Sequence, residues 1–343
     1  MKKLLNTLYV TTPDAYLSLD GENVVVLQNG KELKRIPLHN LENIITYGYQ
    51  GASPMLMRHA GECGVGVAFF TEHGRFMCRV EGEKRGNVLL RREQYRIADD
   101  AERSLKIAVN MIGAKTANCR SVILRALRDH PMIPDSERIN DAAKQLETYK
   151  EMIRDAENVD VLRGIEGISA SCYFGVLDNL ILQNKNDFTF MSRNKRPPTD
   201  NVNALLSFCY SILTNECASV LESVGLDPYV GFMHTDRPGR KSLALDLIEE
   251  LRSEFCDRFV LSLINLRQIN GDGFVNKENG AVLMTDETRK IVLSAWQKRK
   301  QDEIRHPFLD EKCKWGIVPY LQAQLLARYI RGDINDYPPF IWK

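Results

Sequence analysis

The 343-residue chain lacks three features that mark special classes of protein. It has no run of 18 or more apolar residues, so we expect no membrane-spanning segment. Its first seven residues, MKKLLNT, open no apolar stretch long enough for a signal peptide. Its eight cysteines form no Cys-x-x-Cys pair. We therefore expect a cytoplasmic protein whose thiols are reduced and mostly buried.

The chain also lacks an excess of either charge, with 46 basic and 45 acidic residues and a formal net charge of +1. That balance excludes a histone-like polycation but allows a local nucleic-acid surface. Hydrophobic residues make up 44% and charged residues 27%, which excludes a disordered or fibrous chain. The length exceeds that of one ordinary domain and suits two.

Signals for strands and tight turns dominate the start of the chain. Asp20-Gly21 and Asn29-Gly30 are hairpin dipeptides, because the central positions of such turns need positive φ. Ser53 followed by Pro54 predicts a short helix with Ser53 as its N-cap. The strand candidates are residues 7–11, 24–27, 33–38, 44–47, 65–71 and 76–80.

From Ala101 onward, apolar residues recur at three- and four-residue steps, which indicates helices. One small hairpin, around Asn279-Gly280, is the expected β insertion. The fold class we predict is a two-domain α+β chain. A small N-terminal β-sandwich-like domain covers residues 1–90, and a larger all-α domain covers residues 91–343.

Three segments contain residues that packing of the hydrophobic core alone does not explain. Glu166 lies between two glycines in a small, apolar helical stretch, where small neighbours allow close approach of a ligand. Taken alone, it also fits a glutamate in the first turn of a helix. His234 lies in a connecting loop. It is a candidate metal ligand or general base, and taken alone it also fits an ordinary hydrogen-bonded surface residue.

The third segment is the helix at residues 242–252. Asp246 and Glu249 share one face at i, i+3, with Glu250 at i+4 from Asp246. The simple alternative is a solvated acidic face opposite a leucine stripe. Together the three segments offer one imidazole and several carboxylates, a donor set that suits Mg²⁺ or Mn²⁺. Such a metal would polarise a phosphoryl oxygen and activate a hydroxyl.

The chain resembles the metal-dependent integrase and endonuclease family of CRISPR adaptation over nearly its whole length, with features of the subtype I-C branch. The resemblance is carried by four motifs in order. These are GIEGISASCYF at 164–174, RPPTDNVNALLSFCY at 196–210, GFMHTDRPGRKSLALDLIEELR at 231–252 and IVPYLQAQLLARYIRGD at 317–333.

The resemblance implies an N-terminal dimerisation domain, a helical catalytic domain with one metal site, and assembly with a small ferredoxin-like subunit. The family ligands map on Glu166, His234 and Glu249, with Asp246 as a supporting acid. Many members carry aspartate where this chain has Glu249. The implied activity is cleavage of double-stranded and branched DNA, and strand transfer in which a 3′-hydroxyl attacks a phosphodiester.

Basic clusters point to DNA on independent grounds, because lysines and arginines bind the phosphate backbone. Our candidate contacts are Arg237, Arg240, Arg193 and Arg196. Two further clusters are Lys84, Arg85, Arg91, Arg92 and Arg96, and Arg289, Lys290, Lys298, Arg299, Lys300 and Arg305. Each cluster also fits an ordinary solvent-exposed surface that binds no DNA.

Two other functions stay open at this stage. The protein could be a non-catalytic DNA-binding assembly scaffold in which Glu166, His234 and Glu249 merely pair with arginines. It could also be a small-molecule metallohydrolase, which would need a dominant pocket and fewer basic clusters.

Overall fold

A computed structural model of the chain describes residues 7–41, 43–48, 50–71, 76–80, 82 and 88–342. The chain divides into two units. Unit 1 draws on Met1–Gly86, Met284–Ile304 and Lys314–Ile317, and unit 2 draws on Asn87–Leu283, Arg305–Cys313 and Val318–Lys343. Two segments from the last quarter of the chain thus belong to unit 1, whereas the sequence-based boundary assigned everything after residue 90 to one domain.

Unit 1 contains two sheets. Its strands are β1 (Thr7–Val10), β2 (Ala15–Asp20), β3 (Asn23–Gln28), β4 (Lys31–Pro37), β5 (Asn43–Tyr47), β6 (Gly66–Phe70) and β7 (Phe76–Val80). One sheet has the order β1-β5-β6-β7, with β1, β5 and β6 parallel and β7 antiparallel to β6. The other is the antiparallel meander β2-β3-β4. The prediction missed β2 and did not foresee the parallel pairs.

Local turn and cap chemistry accounts for the connections in unit 1. Gly21, Asn29 and Gly30 all have positive φ, as the hairpin dipeptides require. Helix α1 (Pro54–Cys63) begins where predicted, since the Ser53 hydroxyl accepts a hydrogen bond from Leu56 N at 3.2 Å. Its buried face joins the strand residues in one hydrophobic core.

Helices make up most of the remaining chain. They are α2 (Val88–Asp99), α3 (Ala101–Asp129), α4 (Ser136–Arg154), α5 (Val159–Phe174), α6 (Asn201–Ser223), α7 (Ser242–Arg252), α8 (Arg258–Asn265), α9 (Asp286–Arg299) and α10 (Val318–Arg331). A π-helical segment, Ser253–Asp257, joins α7 to α8. Short 3₁₀ turns cover Leu38–Asn40, Leu177–Leu180, Gly271–Gly273 and Trp315–Ile317. Of the α-helices, all except α1 and α9 lie in unit 2.

Two short hairpins interrupt the helical region. The first, β8 (Phe274–Asn276) with β9 (Val282–Met284), is the insertion predicted around Asn279-Gly280. The second, β10 (Glu303–Arg305) with β11 (Lys312–Lys314), was not predicted. The expectation of an all-α region was therefore too simple, although helices dominate it.

The long helix α3 lies at the centre of unit 2 and packs against α4, α5 and α7. Helix α6 packs against α7 and α10. It is long and apolar enough to cross a membrane by length and composition, but 61% of that stretch is buried inside the protein, as in a core helix. All eight cysteines are free, and four of them are buried.

Candidate metal centre

Glu166 lies in the middle of α5, which begins at an Asn158 cap accepting hydrogen bonds from Asp160 N and Val161 N. The first turn of α5 instead contains Asp160, so the first-turn reading of Glu166 is wrong. A Cβ added at Gly164 or Gly167 would meet no atom within 4 Å. The glycines flanking Glu166 therefore leave open space beside it.

The Asp246 carboxylate shapes the loop that carries His234. Its Oδ2 accepts hydrogen bonds from Phe232 N at 2.6 Å and Met233 N at 3.0 Å. Its Oδ1 accepts one from His234 N at 3.0 Å. A Cβ at Gly231 would lie 2.7 Å from Oδ2, so only glycine lets the loop approach the carboxylate this closely.

The same carboxylate orients the His234 ring, because Asp246 Oδ1 lies 2.6 Å from His234 Nδ1. An ionised carboxylate only accepts hydrogen bonds, so Nδ1 must carry the proton and donate it. In the neutral ring, Nε2 then has a free lone pair. Within the described residues Nε2 makes no hydrogen bond. A carboxylate behind a histidine in this way is the usual support of a metal-binding imidazole.

Glu249 is buried and held by two cations. Its Oε1 accepts a hydrogen bond from Arg252 at 2.7 Å, and its Oε2 lies 2.7 Å from Lys115 Nζ. Burial alone would raise the pKa of Glu249, but the charges of Arg252 and Lys115 outweigh burial and lower that pKa to about 2. Glu249 is therefore a carboxylate at any physiological pH.

Lys115 joins the two acidic helices. Its ammonium contacts Oε1 of Glu166 as well as Oε2 of Glu249, and only 7% of its side chain is exposed. Burial would lower the pKa of Lys115, but the carboxylates of Glu249 and Glu166 raise it overall. Helices α3, α5 and α7 thus converge on one buried ion cluster.

Glu250 faces the other way and belongs to the core. It accepts hydrogen bonds from Tyr337 Oη at 2.5 Å, Gln322 Nε2 at 3.1 Å and Phe340 N at 3.0 Å. Burial raises its pKa to about 7 despite these bonds. Asp246, Glu249 and Glu250 are 1%, 4% and 0% exposed, so the alternative interpretation of these residues as a solvated acidic face is wrong.

The structure brings the expected ligands into one region but not within coordination distance of a common metal position. Glu166 and Glu249 share Lys115, and His234 pairs with Asp246. In the part of the chain that is described, no three His, Cys, Asp or Glu side chains lie close enough together to hold a metal. The donors nevertheless suit Mg²⁺ or Mn²⁺ chemically, because carboxylate oxygens and an imidazole nitrogen are ligands of these ions, and the buried Oε2 of Glu249 is held by an ion pair with Lys115.

Sequence reasoning missed Lys115, Arg252 and Tyr210. Lys115 interrupts the buried face of α3, which is a detectable signal, because a lysine there needs a carboxylate partner. Arg252 stacks 4.7 Å from the centre of the Tyr210 ring. Tyr210 Oη donates to Asp257 at 2.5 Å, and burial raises the pKa of Asp257 to about 6.

The candidate DNA contacts fall into two kinds. Arg237 and Arg240 flank a turn at Gly239, and their side chains make no hydrogen bond or ion pair with described residues. Arg196 is exposed, and its side chain also makes no hydrogen bond or ion pair with described residues. Arg193 instead donates to Asn203 Oδ1 at 2.7 Å and Ser207 Oγ at 3.0 Å, and stacks on the Tyr210 ring. The guanidinium of Arg193 is therefore already hydrogen-bonded and stacked within unit 2.

The other basic clusters are only partly free surfaces. Lys84 and Arg85 lie outside the described residues. On α9, Arg289 is 4% exposed and pairs with Asp286, and Lys300, just beyond the helix, is also 4% exposed. The six C-terminal basic residues therefore do not form one exposed helix face.

Comparisons with known proteins agree with this architecture. The family model for the CRISPR associated protein Cas1 matches residues 8–298. A CRISPR-associated endonuclease Cas1 of Chlorobaculum tepidum is 49% identical over 343 residues, covering 100% of both chains. Another from Rhodospirillum rubrum is 51% identical over 347 residues, again covering 100% of both.

Solved structures show the same fold. A Cas1 protein from Thermotoga maritima superposes with a TM-score of 0.82 at 21% identity, covering 96% of this chain and 97% of that one. A casposase bound to its integration product gives 0.83 at 22% identity, covering 99% and 95%. A Cas6-RT-Cas1–Cas2 complex gives 0.81 at 21% identity, covering 100% of this chain and 36% of that one.

The fold and the family match place the chain in the class of CRISPR-associated nucleases and integrases. More particularly, the chain belongs to the Cas1 family. The resemblance carried by its four motifs is thereby confirmed. The subtype I-C assignment, the ligand roles and the cytoplasmic location stay predictions.

Proposed function

We propose that the protein is a divalent-metal-dependent DNA endonuclease and strand-transfer integrase that inserts new spacers into a CRISPR repeat array. The observation that carries the proposal is the convergence of Glu166, Glu249 and the Asp246-supported His234 in one helical unit. We assign Glu166, His234 and Glu249 as ligands of Mg²⁺ or Mn²⁺. When bound, the metal supplies charge stabilisation at a phosphoryl oxygen and a more acidic attacking hydroxyl.

The protein's own residues prepare the reaction. Asp246 fixes the tautomer and direction of His234, and Arg252 keeps the Glu249 carboxylate ionised and in place. Arg237, Arg240 and Arg196 are free to neutralise DNA phosphates near the site. In strand transfer a 3′-oxygen forms a new bond to phosphorus while the existing P–O bond breaks, and the departing oxygen leaves as a hydroxyl. The number of phosphodiester bonds is unchanged, so no energy source is needed.

We also propose that the protein works as a homodimer on double-stranded and branched DNA, with a small ferredoxin-like companion subunit. One structural neighbour is a Cas6-RT-Cas1–Cas2 complex, which supports such a companion. Another is a casposase bound to an integration product, which supports a DNA substrate. Unit 1 is our candidate for the dimerisation region.

A strand-transfer assay tests the chemistry. Donor duplexes with a 3′-hydroxyl or a 3′-deoxy end are mixed with repeat DNA, the companion subunit and Mn²⁺. We expect a joined product only from the 3′-hydroxyl donor, and its loss in Glu166→Gln. A product that forms equally from the 3′-deoxy donor, or in Glu166→Gln, would contradict the assignment.

One observation favours the scaffold alternative, namely that Glu166 and Glu249 already pair with Lys115 and Arg252. A scaffold would bind DNA in a salt-dependent way and yield no metal-dependent product. The same assay separates the two, because DNA binding without joining or nicking would leave only the scaffold.

A further inference from the structure

One lysine occupies the position where two proposed metal ligands meet. Lys115 on α3 contacts Oε1 of Glu166 on α5, and its Nζ lies 2.7 Å from Oε2 of Glu249 on α7. The Lys115 and Glu249 side chains are 7% and 5% exposed, and that of Glu166 is 24% exposed. The three helices are therefore joined by a single buried cation.

Without a cation between them, the carboxylates of Glu166 and Glu249 would repel each other. Two ionised carboxylates near one point repel, and burial strengthens that repulsion. Arg252 neutralises only the Oε1 side of Glu249, at 2.7 Å. Lys115 supplies the positive charge on the Oε2 side, where its Nζ lies 2.7 Å from the oxygen.

An ammonium and a divalent metal compete for these oxygens. An oxygen bound to Mg²⁺ at about 2.1 Å and to an ammonium at 2.7 Å would hold the two cations about 4 Å apart. Like charges at that distance repel strongly in a site shielded from water. The ammonium therefore opposes a divalent cation bound to the same carboxylate oxygens.

Building on the metal site proposed above, we propose that Lys115 is a built-in counter-ion that holds Glu166 and Glu249 together in the metal-free protein and competes with the divalent cation for them. Metal binding then pushes the ammonium away from the carboxylate oxygens that the metal takes. Lys115 is a positioning residue in this scheme. Its presence stabilises the metal-free fold and weakens metal binding.

Titration calorimetry with Mn²⁺ alone tests the proposal in the full-length chain. Lys115→Met should lower the Kd for Mn²⁺ at least tenfold and lower the Tm measured in EDTA. The matched control is Lys106→Met on the same helix, where an exposed lysine pairs with Glu102 at 3.0 Å. It should leave the Kd unchanged. A Kd for Lys115→Met equal to or weaker than that of wild type would overturn the proposal.

A Glu249→Gln arm separates failure of this proposal from failure of the metal site. If wild type binds Mn²⁺, Glu249→Gln does not, and Lys115→Met shows no gain, the site stands and the counter-ion role falls. If Glu249→Gln binds as wild type does, the proposed site itself falls.

Folding of the variants gives a further readout. Should Lys115→Met not fold in EDTA, Lys115→Gln repeats the titration with a neutral hydrogen-bond donor. Variants that fold only when Mn²⁺ is added would support exchange of one cation for the other. Variants that stay unfolded in Mn²⁺ would contradict it.

Discussion

Replacing Asp246 by asparagine should disrupt both the stability of the protein and its metal site. The carboxylate accepts four hydrogen bonds, from the backbone N–H groups of Phe232, Met233 and His234 and from the His234 ring. An amide keeps one oxygen and can retain two of these bonds. Two bonds to a charged acceptor are lost, at about 1.5 kcal/mol each, and a neutral bond from the new NH₂ to the His234 ring offsets about 1 kcal/mol of that, so we expect a net loss of about 2 kcal/mol in the free energy of unfolding.

The same substitution should also reverse the His234 tautomer. The new amide NH₂ can only donate to Nδ1, which places the ring proton on Nε2 and removes the lone pair we assign to the metal. We expect Mn²⁺-dependent nicking to fall at least about 100-fold. Urea unfolding and a nicking assay measure the two effects.

Asp236→Asn is the matched control, because Asp236 is an exposed aspartate in the same loop without a hydrogen bond to described residues. It should change unfolding by less than about 0.5 kcal/mol. If Asp246→Asn behaved like this control in both assays, Asp246 would not organise the loop, and the reasoning from its four hydrogen bonds would be refuted.

Three other sets of substitutions test separate parts of the structure. The pKa of Asp257 is raised by burial to about 6, so its contribution to stability is present below pH 4 and lost as pH rises to about 6. Relative to Asp257→Asn, wild type should therefore lose up to about 3 kcal/mol of unfolding free energy across that window, and an unchanged difference at pH 4 and 7 would refute it. Asn118→Leu should lower the unfolding free energy by about 3 kcal/mol in urea, since its buried amide bonds Glu250 O, Phe340 O and Trp342 N, and a change under about 1 kcal/mol would refute this. Arg196→Ala should reduce the salt dependence of DNA binding by about one charge without changing stability, whereas Arg193→Ala should mainly lower stability, and the reverse pattern would contradict the assignment.

Local signals in the sequence predicted local structure well. Ser53 caps α1, and the Asn29-Gly30 pair forms the β3–β4 turn, because turn and cap geometry depend on a few neighbouring residues. The parallel pairing of β1, β5 and β6 was not predictable in this way, since it joins strands far apart in the sequence. The return of α9 to unit 1 is another such long-range effect.

In the candidate site, too, the sequence predicted which residues matter but not the long-range contacts of their side chains. Family resemblance and residue type pointed to Glu166, His234 and Glu249, and the structure joins α5 to α7 through Lys115 and the His234 loop to α7 through Asp246. The spacing of Asp246, Glu249 and Glu250 could not reveal that each has a different environment. That division depends on three different segments packed around α7, which are the loop amides before Asp246, Lys115 on α3, and Tyr337 in the C-terminal segment beside Glu250.

The central claim is that Glu166, His234 and Glu249 hold a catalytic divalent metal. The most direct measurement compares nicking and strand transfer on branched and repeat-bearing DNA by wild type and His234→Ala, with the companion subunit, in Mn²⁺, Mg²⁺ or EDTA. We predict activity that requires metal and is lost in His234→Ala while the variant remains folded and bound to DNA. Equal activity in EDTA, or a wild-type rate in His234→Ala, would contradict the account.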